Sequence, residues 1–235
     1  MYDPAVVLAA IDRNAVPILA LCALAMAMNY MYFIEAIIKG FRDRAYPFPV
    51  FCTMFWLTGD GSMVLDYHTA FVVVNHWYMK AFWFALVITT GFELLYLYMI
   101  MRFGRREIAP GLTQPQFVAS LVAGQLIMFM AYHFIKARMG DVLVIDYFNL
   151  ANLSGPVFGW ALLNRRGTLA GTSPRIWLCF TVLIASWSTA LALYFGPPFA
   201  SPGYLLFYAV AVSACIAVTI RAMQLPPAPP EPESA

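Results

Sequence analysis

Seven apolar runs, each about as long as a bilayer is thick, constrain this chain more than any other feature. They cover 15–38, 46–66, 79–101, 115–137, 142–163, 174–195 and 202–223. A helix needs about 20 mainly apolar residues to cross the hydrocarbon core. Backbone groups in lipid must be satisfied internally, which leaves helices or closed barrels. Unbroken runs lack the apolar–polar alternation of barrel strands. Only 11% of the 235 residues are charged, against about a quarter in a soluble domain, too few to cover a water-facing surface. The expectation is an all-α, polytopic bundle of seven transmembrane helices. It forms one domain over 1–224, with a Pro-rich tail at 225–235 that cannot continue the last helix and is expected to be disordered. The second run is the weakest, because Thr58-Gly59-Asp60-Gly61-Ser62 interrupts it.

Orientation follows from the Lys/Arg count. Lys39, Arg42, Arg44, Arg102, Arg105, Arg106, Arg165, Arg166, Arg175 and Arg221 gather on one side; Arg13, Lys80, Lys136 and Arg138 lie on the other. This ten-to-four bias predicts a non-cytoplasmic N-terminus and a cytoplasmic C-terminus. The first run is read as a retained span, since no basic start leads into a short core with a cleavage site. No internal repeat is evident, which argues against a transporter built from duplicated halves.

The net charge of +2 is too small to point to nucleic acid. Cys22, Cys52, Cys179 and Cys215 lie inside apolar runs without CxxC spacing and read as small hydrophobes. His68, His76 and His133 lack HxxxH or ExxH spacing, so no metal site is expected. No nucleotide-binding loop, dinucleotide fingerprint or nucleophile elbow appears.

An ionisable residue inside a span costs several kcal/mol and is a functional candidate by default. Asp60 lies about 20 Å into the second run, counting 1.5 Å per residue. It reads either as a functional acid or as the cap of a re-entrant turn. Asp146, Asn149 and Asn152 recur at i, i+3 spacing in the fifth run, which suits a polar face toward a cavity or helix–helix hydrogen bonding. Glu93 is either a buried acid or half of an interhelical pair. Glu35 is explained by an i,i+4 pair with Lys39, and Asp66 by solvation at a span end. Trp56, Tyr67, Trp77, Trp83 and Trp187 read as interfacial anchors or core. An aromatic lining near an acid also suits a carbocation, because ring faces attract cations.

Three segments resemble the transmembrane terpene cyclases of fungal meroterpenoid and indole-diterpene pathways and their bacterial relatives. Asn29-Tyr30, followed by Asp43-Arg44-Ala45-Tyr46-Pro47-Phe48-Pro49, is similar to that family's Asn-Tyr at a span end and its Asp-Arg-x-Tyr-x-x-Pro loop. Asp60 stands eleven residues past Pro49, where the family places an intramembrane glutamate taken as a proton donor. The segment Leu162 to Leu178, with Gly171-Thr172-Ser173 and Ile176-Trp177, is similar to the family's arginine-containing loop ending Gly-Thr-Ser-x-x-Ile-Trp. Two departures stand out. Gly59 precedes Asp60 where the family has tryptophan, and the final span, Tyr204 to Ile220, lacks the family's aspartate.

The resemblance implies proton-initiated cyclisation of a prenyl or epoxyprenyl substrate in the membrane, with no metal or nucleotide cofactor. Asp60 is then the initiating acid, and Asp146 or Glu93 a second acid or orienting group. Trp56, Asn29, Asn149 and Asn152 are the candidate substrate-binding residues. The implied partners are a lipophilic terpenoid substrate and the bilayer; oligomeric state is open. Two other readings remain: a small transporter or channel lined by Asp60, Asp146 and Glu93, and a non-catalytic assembly subunit whose polar row meets a partner helix.

Overall fold

The computed structural model describes residues 2–228. They are all-helical, with no strand among them. The helices are α1 (Pro4–Arg13), α2 (Ala15–Arg42), α3 (Val50–Leu65), α4 (Trp77–Phe103), α5 (Arg105–Ile108), α6 (Gln114–Met139), α7 (Ile145–Arg166), α8 (Pro174–Tyr194) and α9 (Pro202–Met223). A short π-helical turn, Thr69–Val73, precedes α4, and a 3-10 turn, Pro197–Ala200, precedes α9. Each of the seven apolar runs forms a helix, and the ends are set by local chemistry. Ser173 accepts from the Ile176 N–H at 3.2 Å with Pro174 behind it, a capped start whose proline has no N–H to lose. Thr113 and Gln116 form a capping box at the start of α6. Pro47 and Pro49 keep 46–49 out of α3, so that helix begins later than the apolar run does.

Five helices are long and apolar enough to cross a membrane: α2, α4, α6, α8 and α9. They fit an integral, multi-pass membrane protein. The 16-residue α3 spans only about 24 Å at 1.5 Å per residue. α7 has the length, with 22 residues, but falls short in apolarity, its polar residues including Asp146, Asn149 and Asn152.

Backbone packing runs from α2 to α8, α9, α7, α3, α4 and back to α2. The circuit leaves an interior, and α6 lies against α3 outside it. α3 passes through Thr58–Ser62 without a break, so the re-entrant-turn reading of Asp60 is overturned. The glycine there is explained by packing. A Cβ on Gly59 would lie 2.2 Å from Tyr147 Cε1, and the Tyr147 hydroxyl donates to the Phe55 carbonyl at 2.6 Å. A side chain at 59 would separate α3 from α7.

α1 has no counterpart in the sequence expectation. At ten residues it is too short for a span. Val7 and Ile11 are fully buried, and Tyr2 packs on Phe199 with ring centroids 5.3 Å apart. The segment thus caps one end of the bundle. At that end His76 meets Asp12 at 3.0 Å and Lys136 meets Asp66 at 3.3 Å, so Asp66 is paired as well as partly solvated. The loops around Arg42, Glu107 and Arg165 meet at the other end. The start of the tail is docked there: Leu225 is buried, and the Leu169 N–H donates to the Pro226 carbonyl at 2.9 Å. The rest of the expected disordered segment, 229–235, lies outside the described residues.

Candidate active site

Five helices line a cavity of about 90 Å³ inside the bundle. α3 supplies Trp56 and Asp60, one turn apart. α4 supplies Phe82, Leu86, Thr89 and Glu93, which recur at helical spacing on one face. α2 adds Asn29, Tyr32 and Phe33; α7 adds Phe148, Ala151 and Asn152; α8 adds Phe180, Leu183 and Trp187. The walls are mainly aromatic, and their rings are fixed by mutual contact. Trp56 stacks on Phe180 with centroids 5.8 Å apart and donates from Nε1 to the Ala151 carbonyl at 2.9 Å. Phe48, from the loop before α3, packs edge-on against Tyr32, Trp56 and Trp177. It plugs the base of this aromatic cluster.

The polar groups converge on α3 and α4. Asp60 is 6% exposed and Glu93 2% exposed. Both side chains line the same cavity wall. Thr89 Oγ1 contacts both Asp60 Oδ2 and, at 3.1 Å, the Leu86 carbonyl. Its single proton satisfies one of them. The carbonyl can only accept, so both bonds form together when Asp60 carries the proton and donates to Thr89. Glu93 Oε2 has no partner among the described residues. Nor is a Lys, Arg or His paired with either acid among the described residues' ion pairs.

Of the residues singled out in the sequence, Asp60, Glu93, Trp56, Asn29 and Asn152 share this cavity. Asn149 stands behind its wall, where its Oδ1 accepts from Trp187 Nε1 at 3.1 Å. Asp146 is elsewhere: it accepts from the Tyr204 hydroxyl of α9 at 2.5 Å in the first turn of α7. The expected continuous polar face is therefore broken. Steps of three residues turn a helix by 300°, so each member drifts about 60° and the two ends of the row stand about 120° apart. α9 contributes no residue to the cavity wall, which is consistent with its lack of an acid. The expected Glu35–Lys39 pair does not form either. Lys39 bonds Asp43 at 2.9 Å, while Glu35 accepts from Ser173 Oγ at 2.5 Å and meets Arg175 at 3.3 Å. The start of α8 offers Glu35 a hydroxyl donor and a cation, and the helix dipole favours a carboxylate there.

Sequence reasoning missed Thr89 and Asp141. Thr89 sits four residues before Glu93, so the face of Glu93 could have disclosed it. Asp141 accepts from the Ile145 and Tyr147 N–H groups, both at 2.9 Å, and from the Tyr2 hydroxyl. It ties α1 to the start of α7. Burial pushes its carboxyl above the ordinary aspartate value despite these donors.

The two loop motifs meet at the charged end, away from the acids. Arg165 Nη2 donates to the Tyr46 hydroxyl at 2.5 Å and to Glu107 at 2.6 Å. Arg166 lies over the Tyr46 ring, 4.2 Å from its centroid, and donates to the Tyr46 and Ala170 carbonyls and to both Glu107 oxygens. Asp43 accepts from Lys39, Arg42 and the Gly171 N–H. Among the described residues, no group of three His, Cys, Asp or Glu side chains converges as a metal site would. No family model, curated protein or solved structure matches the chain.

Proposed function

We propose that this chain is a membrane-embedded terpene cyclase, acting on a prenyl or epoxyprenyl substrate by acid initiation. One observation carries the reading: two buried carboxyl groups, Asp60 and Glu93, face an aromatic cavity with no paired cation among the described residues. A neutral carboxyl group protonates a terminal alkene or an epoxide oxygen. The cation then lies among the faces of Tyr32, Phe33, Trp56 and Phe180. Loss of a proton from the cyclised cation returns the acid and leaves a product isomeric with the substrate. Asp60 is the proposed donor, because the Thr89 and Leu86 contacts are both satisfied when it is protonated. Glu93 is the second acid, which supports and reloads it. Asn29 and Asn152 are placed to orient a substrate oxygen. Asp146, bonded to Tyr204, has no part in this chemistry.

The proposed topology has seven crossings, with α3 and α7 sheltered by their neighbours. α3 is buried at most positions from Thr53 to Met63, so it needs little lipid-facing surface. The arginine-rich end is proposed to be cytoplasmic and the N-terminus non-cytoplasmic. Cysteine labelling of sealed membranes tests this; residues 103–112 and 138–141 labelling from the same face would refute it.

The function is tested by expressing the chain in membranes with prenyl and epoxyprenyl substrates and seeking isomeric products by mass spectrometry. Cyclised product that disappears in Asp60→Asn is expected. A protein that instead carries protons or solutes across proteoliposomes, and makes no product, would restore the transporter reading.

A further inference from the structure

Beside the acid cavity lies a second, almost wholly apolar space of about 200 Å³ between the first halves of α2 and α4. The two spaces share four wall residues: Ala25, Met26, Phe82 and Trp187. They are therefore neighbours separated by side chains rather than by backbone. Ala81 and Ala85 keep the α4 side of the groove shallow-walled, and Leu19 at its margin is half exposed. In a multi-pass protein that margin faces acyl chains.

The volumes matter. The acid cavity alone, at about 90 Å³, is far below the ~300–1,000 Å³ of sites that enclose drug-sized ligands. The two spaces together come close to the lower bound. The connecting wall is aromatic as well. Tyr78 stacks on Phe82 with centroids 5.9 Å apart, and Phe82 lies parallel to Trp187 at 6.3 Å. Flat alkene units fit such ring faces. Tyr78, which lines the groove, also has a buried hydroxyl without a partner among the described residues. An unpaired buried donor is costly and is relieved by an acceptor oxygen on a bound molecule.

We propose that this groove seats the prenyl chain of the substrate, admits it laterally from the bilayer past Met26 and Phe82, and holds an oxygen-bearing far end at Tyr78. The proposal rests on the cyclase reading for what happens at Asp60. Eleven residues of α4 separate Tyr78 from Thr89, a rise of about 16 Å. The substrate is thus an extended chain of several isoprene units, with its reacting alkene or epoxide at the acids and a hydroxyl, ether or carbonyl oxygen at the other end.

The test is photo-crosslinking of the full chain in lipid nanodiscs with a diazirine-bearing C20 prenol, with crosslinked peptides mapped by mass spectrometry. Labelling is expected within Ile18–Met26 and Trp77–Ala85, displaced by unlabelled geranylgeraniol and not by a saturated alcohol of similar length. Ala85→Trp, which fills the groove, should lower that labelling about tenfold, the scale of overfilling a packed site. Ala81→Phe, at the exposed margin, should act likewise if the tryptophan variant misfolds. Asp60→Asn should label as the natural chain does. Labelling spread over the lipid-facing surface, or equal displacement by the saturated alcohol, overturns the proposal. Groove labelling in a chain that forms no cyclised product would remove the cyclase reading and keep the prenyl site; product formation without groove labelling would do the reverse.

Discussion

Asp60 and Glu93 inside the bundle carry the same carboxyl group as Asp43 and Glu107 at its charged end, under opposite conditions. Glu107 is met by two guanidinium groups, and Asp43 by an ammonium, a guanidinium and a backbone N–H. Burial acts to raise both, yet hydrogen bonds and positive charge bring each below its ordinary value. These acids are ionised, saturated with donors and committed to tying loops together. The interior pair has a threonine hydroxyl and an oxygen left without a partner among the described residues. Full pairing makes a carboxylate structural. Incomplete pairing in an enclosed aromatic space is costly for folding and leaves a proton available for chemistry.

The comparison breaks first at Asp60. Asp60→Asn keeps the shape but removes the donatable proton, so the proposed cyclisation should fall by about 10²–10⁴-fold, the usual contribution of a general acid. Fluorescence-detected gel filtration should show an unchanged, folded peak. Glu93→Gln should also impair turnover severely, since among the described residues Glu93 is the only other acid lining the cavity. Full activity in Asp60→Asn would reject the assignment of the acid.

The charged end should respond in the opposite sense. Arg166→Met removes the bond to Glu107, the contact over the Tyr46 ring and the links to two carbonyls. With the side chain of Arg166 7% exposed, the loss should be about 1–3 kcal/mol, the scale for a hydrogen-bonded charge left unmatched. Thermal unfolding in detergent would measure it as a lower Tm. An Arg166→Met protein with an unchanged Tm would mean that the loops are held by apolar contacts alone.

Much of this contrast was legible in the sequence, and the missing parts have definite causes. The apolar runs became helices whose ends moved by no more than about four residues. Asp60, Glu93, Trp56, Asn29 and Asn152 could be chosen because polar groups in apolar runs are conspicuous, and the structure brings them to one cavity. The order of helices around the bundle was not legible, because a helix apolar on every side has no distinctive face. α1 escaped because three buried positions, Val7, Ala10 and Ile11, make too short a stripe to stand out. The clustering of Arg165, Arg166, Tyr46 and Glu107 joins residues up to 120 positions apart, which local spacing cannot reveal.

Acid sensitivity gives a smaller effect. Glu107 and Asp43 have folded values below their ordinary 4.5 and 3.8. Their contribution is therefore fully present above those ordinary values and is lost as pH falls through the lowered ones. Asp141 is raised, so its contribution has the opposite sign and fades as pH rises through its folded value. The Tm should fall on acidification below about pH 4.5, and Glu107→Gln should flatten part of that fall. Because Glu107 is about a third exposed, solvent screening keeps its share well under the full value of a buried pair. An unchanged acid limb in Glu107→Gln would move the acid sensitivity to other carboxylates.

The smallest effect should come from Asp146→Asn. The sequence made Asp146 a candidate for the acid missing from the final span, and the comparison places it with neither group. It has one hydroxyl donor, Tyr204, and no place in the cavity wall. Asparagine keeps a carbonyl oxygen at that position, so the Tyr204 hydroxyl retains an acceptor. What is lost is the extra strength of a bond to a charged oxygen, and at a part-buried site that is about 0.5–1 kcal/mol. The charge also acts on Asp141 nearby, raising its carboxyl, so its removal offsets part of the loss. Under the proposed mechanism cyclisation should stay within about twofold of the natural chain, since Asp146 lies outside the cavity wall. Asp146→Asn and Glu93→Gln measured side by side therefore decide which acid partners Asp60. A severe defect in the first with none in the second would exchange their roles and move the chemistry toward α9.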